Sequence, residues 1–145
     1  KKFYNVFFKS INNLLKSDGL FLLHTIGVVD KPTPPNKFIN KYIFPGGVCP
    51  TLSQIVKPIE KTGLIVADTE TLIRHYDKTL LSWLNRFLEK KDLVKDMFDE
   101  KFVKMWSFYL ASCAAAFRYR DLVVFQLQIV KNFNAARPTR DYIYS

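Results

Sequence analysis

The sequence predicts an α/β fold, and three observations carry that prediction. A helical apolar pattern, a Gly turn and a buried-strand pattern follow one another over residues 3–26. The same order of helix, Gly turn and strand recurs over residues 51–69, and two longer amphipathic helices lead into a last strand at residues 122–130. At 145 residues, with 48% hydrophobic and 24% charged, the chain is one compact domain or one piece of a domain.

Residues 3–16 carry Phe3, Phe7, Ile11, Leu14 and Leu15 at near-helical spacing, and Ser17-Asp18-Gly19 stops the helix. Leu20–Ile26 is apolar apart from His24 and Thr25, the pattern of a strand buried on both faces of a parallel sheet. From Val29 to Pro50 come Pro32, Pro34, Pro35, Pro45, Gly46 and Gly47 around the short apolar stretch FINKYIF, which predicts a long ordered loop with one helical turn. A loop of that length in a compact domain is usually a lid or a binding loop. Thr51 or Ser53 caps a helix through about Thr62, Gly63 closes it, and Leu64–Thr69 reads as a second buried strand. Residues 74–90 present Tyr76, Leu80, Trp83, Leu84, Phe87 and Leu88 on one helical stripe. Residues 100–118 do the same with Phe102, Met105, Trp106, Tyr109, Leu110, Cys113 and Phe117. Leu122–Val130 alternates enough for a last strand, expected as an antiparallel edge on an otherwise parallel sheet, and a basic, aromatic tail follows. Two helices in succession before the final strand read as an insertion over 74–118 that carries substrate specificity. The layout suits the second half of a Rossmann-like methyltransferase domain.

Composition narrows the function classes. The chain begins at Lys1 and its methionines are Met97 and Met105, so an upstream portion is expected. The basic, apolar start is broken by Lys9, Ser10, Asn12 and Asn13 and has no small-residue cleavage site, unlike a secretion signal. No apolar run reaches the roughly 18–20 residues that span a bilayer. Two cysteines, Cys49 and Cys113, give no disulfide framework, which points to a reducing, cytoplasmic setting. The net charge of +9 favours an anionic partner such as nucleic acid, phospholipid headgroups or a phosphorylated small molecule. An ordinary basic surface explains the charge equally well.

Two cysteines and two histidines without ligand spacing make no zinc or other metal site. Gly46-Gly47 follow Pro45 and do not join a strand to a helix, so the nucleotide fingerprints fail on context. His24, at the C-terminal end of its strand, points toward the crevice where α/β folds bind ligands, and the competing reading is a core histidine bonded to a backbone carbonyl. His75 and Tyr76 open their helix and face the same choice between donor and core. The aromatic stripes read first as core, but an aromatic-walled channel between them suits an acyl chain, and ring faces stabilise a carbocation. Nucleic acid would want rings interleaved with Lys and Arg on an exposed face, which these stripes lack, so it is not an expected partner.

Four ordered blocks carry a resemblance: DGLFLLHTIG (18–27), FINKYIFPGG (38–47), RHYDKTLLSW (74–83) and MWSFYLASCAAAFR (105–118). Together they resemble the cyclopropane-fatty-acyl-phospholipid synthase family, which includes the mycolic acid cyclopropane synthases, from Phe7 to about Val130. The resemblance implies that residues 1–145 are the C-terminal part of a Class I S-adenosylmethionine-dependent methyltransferase domain. It also implies that residues 74–118 form the acyl-substrate side. The implied reaction places a methylene from S-adenosylmethionine on a cis double bond of a membrane phospholipid, with bicarbonate as base. His24, the main chain of Ile26 and Tyr76 match the family's bicarbonate-binding positions, and an imidazole, a backbone N–H and a phenol supply convergent donors without formal charge. Cys113 matches the family's active-site cysteine. An apolar helix face raises a thiol pKa and methyl transfer to an olefin needs no thiolate, so Cys113 is expected to line the acyl pocket with Trp106, Tyr109 and Phe117. The Gly-rich cofactor loop and the acidic ribose contact of the family have no counterpart in this sequence, which places most of the S-adenosylmethionine site outside it. Peripheral contact with the inner face of the cell membrane and a homodimer of the full-length enzyme complete the expectations.

Overall fold

A computed structural model describes residues 2–31 and 36–144; Pro32, Pro34 and Pro35 of the expected loop lie outside the described residues, as do Lys1, Ser145 and the side chain of Lys2. The elements in chain order are α1 (Lys2–Leu14), β1 (Leu20–Val28), α2 (Lys37–Tyr42), α3 (Leu52–Lys61) and β2 (Ile65–Ile73). Next come α4 (His75–Glu89), α5 (Lys91–Met97), α6 (Glu100–Tyr119) and β3 (Leu122–Val130). Two short 3-10 turns, Phe133–Ala135 and Asp141–Ile143, follow.

The three strands form one sheet in the order β1-β3-β2. Val29 donates its N–H to the Asp121 carbonyl at 3.1 Å, and the side chains of His24 and Gln126 meet at 3.0 Å. The two pairs of residue numbers have the same sum, which is the register of an antiparallel pair. This corrects two expectations. β3 is the central strand and not an edge, and the sheet is antiparallel. β1 is an edge strand whose even-numbered side chains lie outward, with Leu20 47%, Leu22 52% and Ile26 38% exposed, so it is not buried on both faces. The near-continuous burial expected of β1 belongs to β3, where Val124, Leu127, Ile129 and Val130 are fully buried. β2 is the other edge and is also less buried than its apolar start suggested. Its Thr69, Glu70 and Thr71 are exposed, polar side chains of the kind that blunt edge pairing.

The chain divides into two compact units. One comprises the chain up to Thr25, Pro50–Thr71 and the chain from Phe125 onward; the other comprises Ile26–Cys49 and Leu72–Val124. In the first, α1 buries Phe8 rather than the expected Phe3 and Leu14, which stay exposed. Its C-terminal end is tied down by three side chains: Asn12 Nδ2 donates to the Thr62 carbonyl at 2.6 Å, Lys131 Nζ to that of Leu15 and Asn132 Nδ2 to that of Ser17, both at 2.9 Å. A cation on a helix's last carbonyls satisfies groups the helix cannot pair itself. Thr51 caps α3 in a reciprocal box with Gln54, and Gly63 ends the turn with φ +76°, a conformation that disfavours any Cβ. The tail docks in the same unit: Arg140 Nε reaches Asp68 Oδ2 at 2.7 Å and Gln128 Nε2 donates to the Tyr142 hydroxyl.

The second unit is built on α4 against α6. Leu80, Leu110, Ala114, Phe117 and Val124 form its core. Arg118 Nε pairs with the buried Asp77 at 2.8 Å, linking the two helices. Arg74, at φ 62°, takes the left-handed conformation that turns β2 into α4. Between α4 and α6 the structure inserts the short α5, so the insertion over 74–118 holds three helices where the sequence suggested two.

Candidate functional site

In the second unit, aromatic side chains recur along one side of α6. Phe98 stacks on Phe102 with ring centroids 4.4 Å apart, Phe102 on Trp106 at 6.1 Å, and Trp106 tilts against Tyr109 at 5.0 Å. Phe98 precedes the helix; within it, the spacing of four and three residues from Phe102 to Trp106 to Tyr109 is the repeat that puts side chains on one face. One turn beyond Tyr109 comes Cys113, and one turn further Phe117, whose ring lies 5.4 Å from that of Tyr76. Tyr76 also meets Trp83 edge-on at 6.4 Å. The structure thus brings Tyr76, Trp106, Tyr109 and Cys113 against the apolar cluster that contains Phe117.

Burial pushes the Tyr109 phenol up to about 12, with the neighbouring Cys113 and Cys49 adding to the effect. Burial raises the Cys113 thiol as well, only partly offset by a hydrogen bond from Tyr109, and Cys49 raises it further. Cys49 is itself raised by burial and by Asp121. Burial of this kind disfavours the thiolate form of Cys113. Cys49, which the sequence offered only as a loop residue, belongs beside it. Phe44 ties the same loop to α6 through its 6.4 Å contact with the Tyr109 ring, and Phe38 of α2 does so through Phe108 at 5.1 Å.

His24 lies in the first unit, on β1, and Ile26 follows two residues later on the same face of that strand. Gln126 Nε2 stands 3.0 Å from His24 Nδ1. Sequence reasoning missed Gln126. The available signal was the pair of amides, Gln126 and Gln128, in a strand otherwise built of buried apolar residues.

The β2-to-α4 turn is made by Arg74 and not by glycine, and Gly46, at φ +73°, has nothing within 4 Å of where a Cβ would stand. Among the described residues no group of three metal-ligating side chains gathers, and no helix is long and apolar enough to cross a membrane.

A model of the family described as mycolic acid cyclopropane synthetase matches residues 1–127. The chain is 38% identical over 126 residues to the cyclopropane-fatty-acyl-phospholipid synthase of Escherichia coli (strain K12), covering 87% of this chain and 33% of that protein. It is 30% identical over 137 residues to sphingolipid C9-methyltransferase 2 of Gibberella zeae, covering 91% of this chain and 26% of that one. Among solved structures, mycolic acid cyclopropane synthase CmaA1 complexed with SAH and CTAB superposes with a TM-score of 0.80 at 29% identity, over 88% of this chain and 50% of that one. The chain therefore spans a third or less of the curated relatives quoted and half of the solved one.

Proposed function

This chain belongs to the mycolic acid cyclopropane synthetase family, and from that premise we propose that it is the C-terminal part of an S-adenosylmethionine-dependent cyclopropane-fatty-acyl-phospholipid synthase. The observation that carries the reading is the uncharged aromatic face of α6. Tyr109 is protonated up to about pH 12 and the Cys113 thiol is pushed above its ordinary range, so no formal negative charge stands in the cluster. Such a surface accepts a hydrocarbon chain, and its ring faces favour positive charge developing on an olefin. Trp106, Tyr109, Phe117 and Cys113 are proposed to line the acyl pocket. His24, the main chain of Ile26 and Tyr76 are proposed to hold bicarbonate as the base, on the strength of the matching HTIG and HY blocks.

S-adenosylmethionine supplies the transferred carbon. Its site is proposed to be formed mainly by sequence outside this chain, and the chain alone is expected to be inactive. The proposal extends to a peripheral contact with the cytoplasmic membrane face, made by α5 and the residue after it, where Leu93, Met97 and Phe98 are 59%, 67% and 61% exposed. It also extends to a homodimer of the full-length enzyme.

A second reading is favoured by the relatives themselves, because the sphingolipid C9-methyltransferase covers more of this chain than the cyclopropane synthase does. In that reading the methyl group is added to another lipid acceptor without ring closure. Calorimetry with S-adenosylmethionine, on this chain and on a version extended upstream to a full domain, begins the test. Binding by the extended version alone, followed by replacement of olefinic by cyclopropane proton signals in unsaturated phospholipid, is the expected result. A methylated product that keeps its olefin favours the second reading. No binding by either version leaves a non-catalytic remnant or a subunit that binds lipid or a partner chain.

A further inference from the structure

We infer that Gln126 is the positioning residue for His24, holding its imidazole in the tautomer that carries the proton on Nε2. The contact joins Gln126 Nε2 to His24 Nδ1 at 3.0 Å across β1 and β3. A carboxamide nitrogen only donates, so Nδ1 must accept, and a neutral imidazole that accepts at Nδ1 has its hydrogen on Nε2. Delivery of the amide by sheet register, and not by a loop, also fixes the rotation of the ring.

The choice of residue fits an anionic ligand, and here the inference rests on the proposed role of His24 toward bicarbonate. A carboxylate against Nδ1 would draw the proton there and leave a lone pair on Nε2, which repels an anion. An amide in the same place turns Nε2 into a donor and adds no negative charge. The position argues the same way. Gln126 is half-buried on the central strand, where an amide is costly unless it is bonded.

Nitrogen-15 NMR of the imidazole rings in this chain tests the assignment without any bound ligand. There are two histidines, so His75→Ala identifies the His24 signals. The expected pattern is the Nε2–H tautomer in the unaltered chain, a mixture of tautomers in Gln126→Met, which keeps the shape and loses the donor, and proton density on Nδ1 in Gln126→Glu. An Nδ1–H ring in the unaltered chain, or no change in Gln126→Met with circular dichroism preserved, overturns the inference. In the extended enzyme Gln126→Met is expected to raise the KM for bicarbonate roughly tenfold, on the scale seen when a partner orienting a ligand histidine is lost, and to leave the S-adenosylmethionine KM near its starting value. A shift in the S-adenosylmethionine KM alone counts against the inference. A tautomer that follows Gln126 in an enzyme showing no bicarbonate dependence retains the positioning role and removes the proposed function.

Discussion

Cys113 stands one helical turn past Tyr109, and the two interact where they pack against an apolar cluster. If the thiol is a wall, its size matters more than its chemistry. Cys113→Ala and Cys113→Ser in the extended enzyme are expected to keep a measurable share of methylene transfer, and Cys113→Phe to lose it by filling the pocket. Near-complete loss in Cys113→Ala with the fold intact gives the thiol a chemical role and sinks the wall. Tyr109 offers a pH test. Its folded pKa of about 12 lies above the usual phenol value near 10, so it favours the folded state below about pH 10, and that contribution is lost as pH rises toward 12. An ultraviolet titration should show one late phenol that disappears in Tyr109→Phe. The helix-face neighbours, Trp106, Tyr109, Cys113 and Phe117, were legible because their contacts follow from spacing along one helix. Gln126 was not, because its partner is set by the register of a strand made about 100 residues after His24.

Among the elements, α3 starts after Thr51, one of the two caps its sequence offers. Thr51→Ala removes one half of its capping box and should cost about 1 kcal/mol, seen as a lower denaturant midpoint with unchanged slope. Phe117→Ala takes a nearly fully buried ring from α6 and should cost about 3–5 kcal/mol. The exposed residues at the end of α5 carry the membrane proposal. Replacing Met97 and Phe98 by Asp should reduce sedimentation with phosphatidylglycerol and phosphatidylethanolamine vesicles several-fold, whereas Phe3→Asp, on exposed apolar surface of α1, should not. The reverse pattern assigns vesicle binding to the wrong end of the chain. The longer helices α3, α4 and α6 announced themselves through caps and stripes, which are local, and the short, uncapped α5 did not. The burial of β1 did not, because an apolar strand is covered only by what neighbours it, and here β3 covers one edge and leaves Leu20 and Leu22 exposed.

For the whole molecule, that uncovered edge predicts behaviour in solution. An apolar outer strand is a template for pairing, so the chain should self-associate as concentration rises, and Leu22→Lys should shift sedimentation velocity profiles toward the monomer. A monomer at all concentrations would show that the edge is adequately protected by its twist and by α1. The α/β class and the family were legible across nearly the whole length, while strand order was not, since nothing in a strand's own residues states which neighbour it will take. That order, β1-β3-β2, bears on biosynthesis. The strands on either side of β3 emerge from the ribosome first, and each must wait for its ladder to β3, which lies beyond all three helices of the insertion. During that wait their backbone groups are open to chaperones and to neighbouring nascent chains. A pause or a truncation before Leu122 would therefore leave both outer strands without the ladder that joins them.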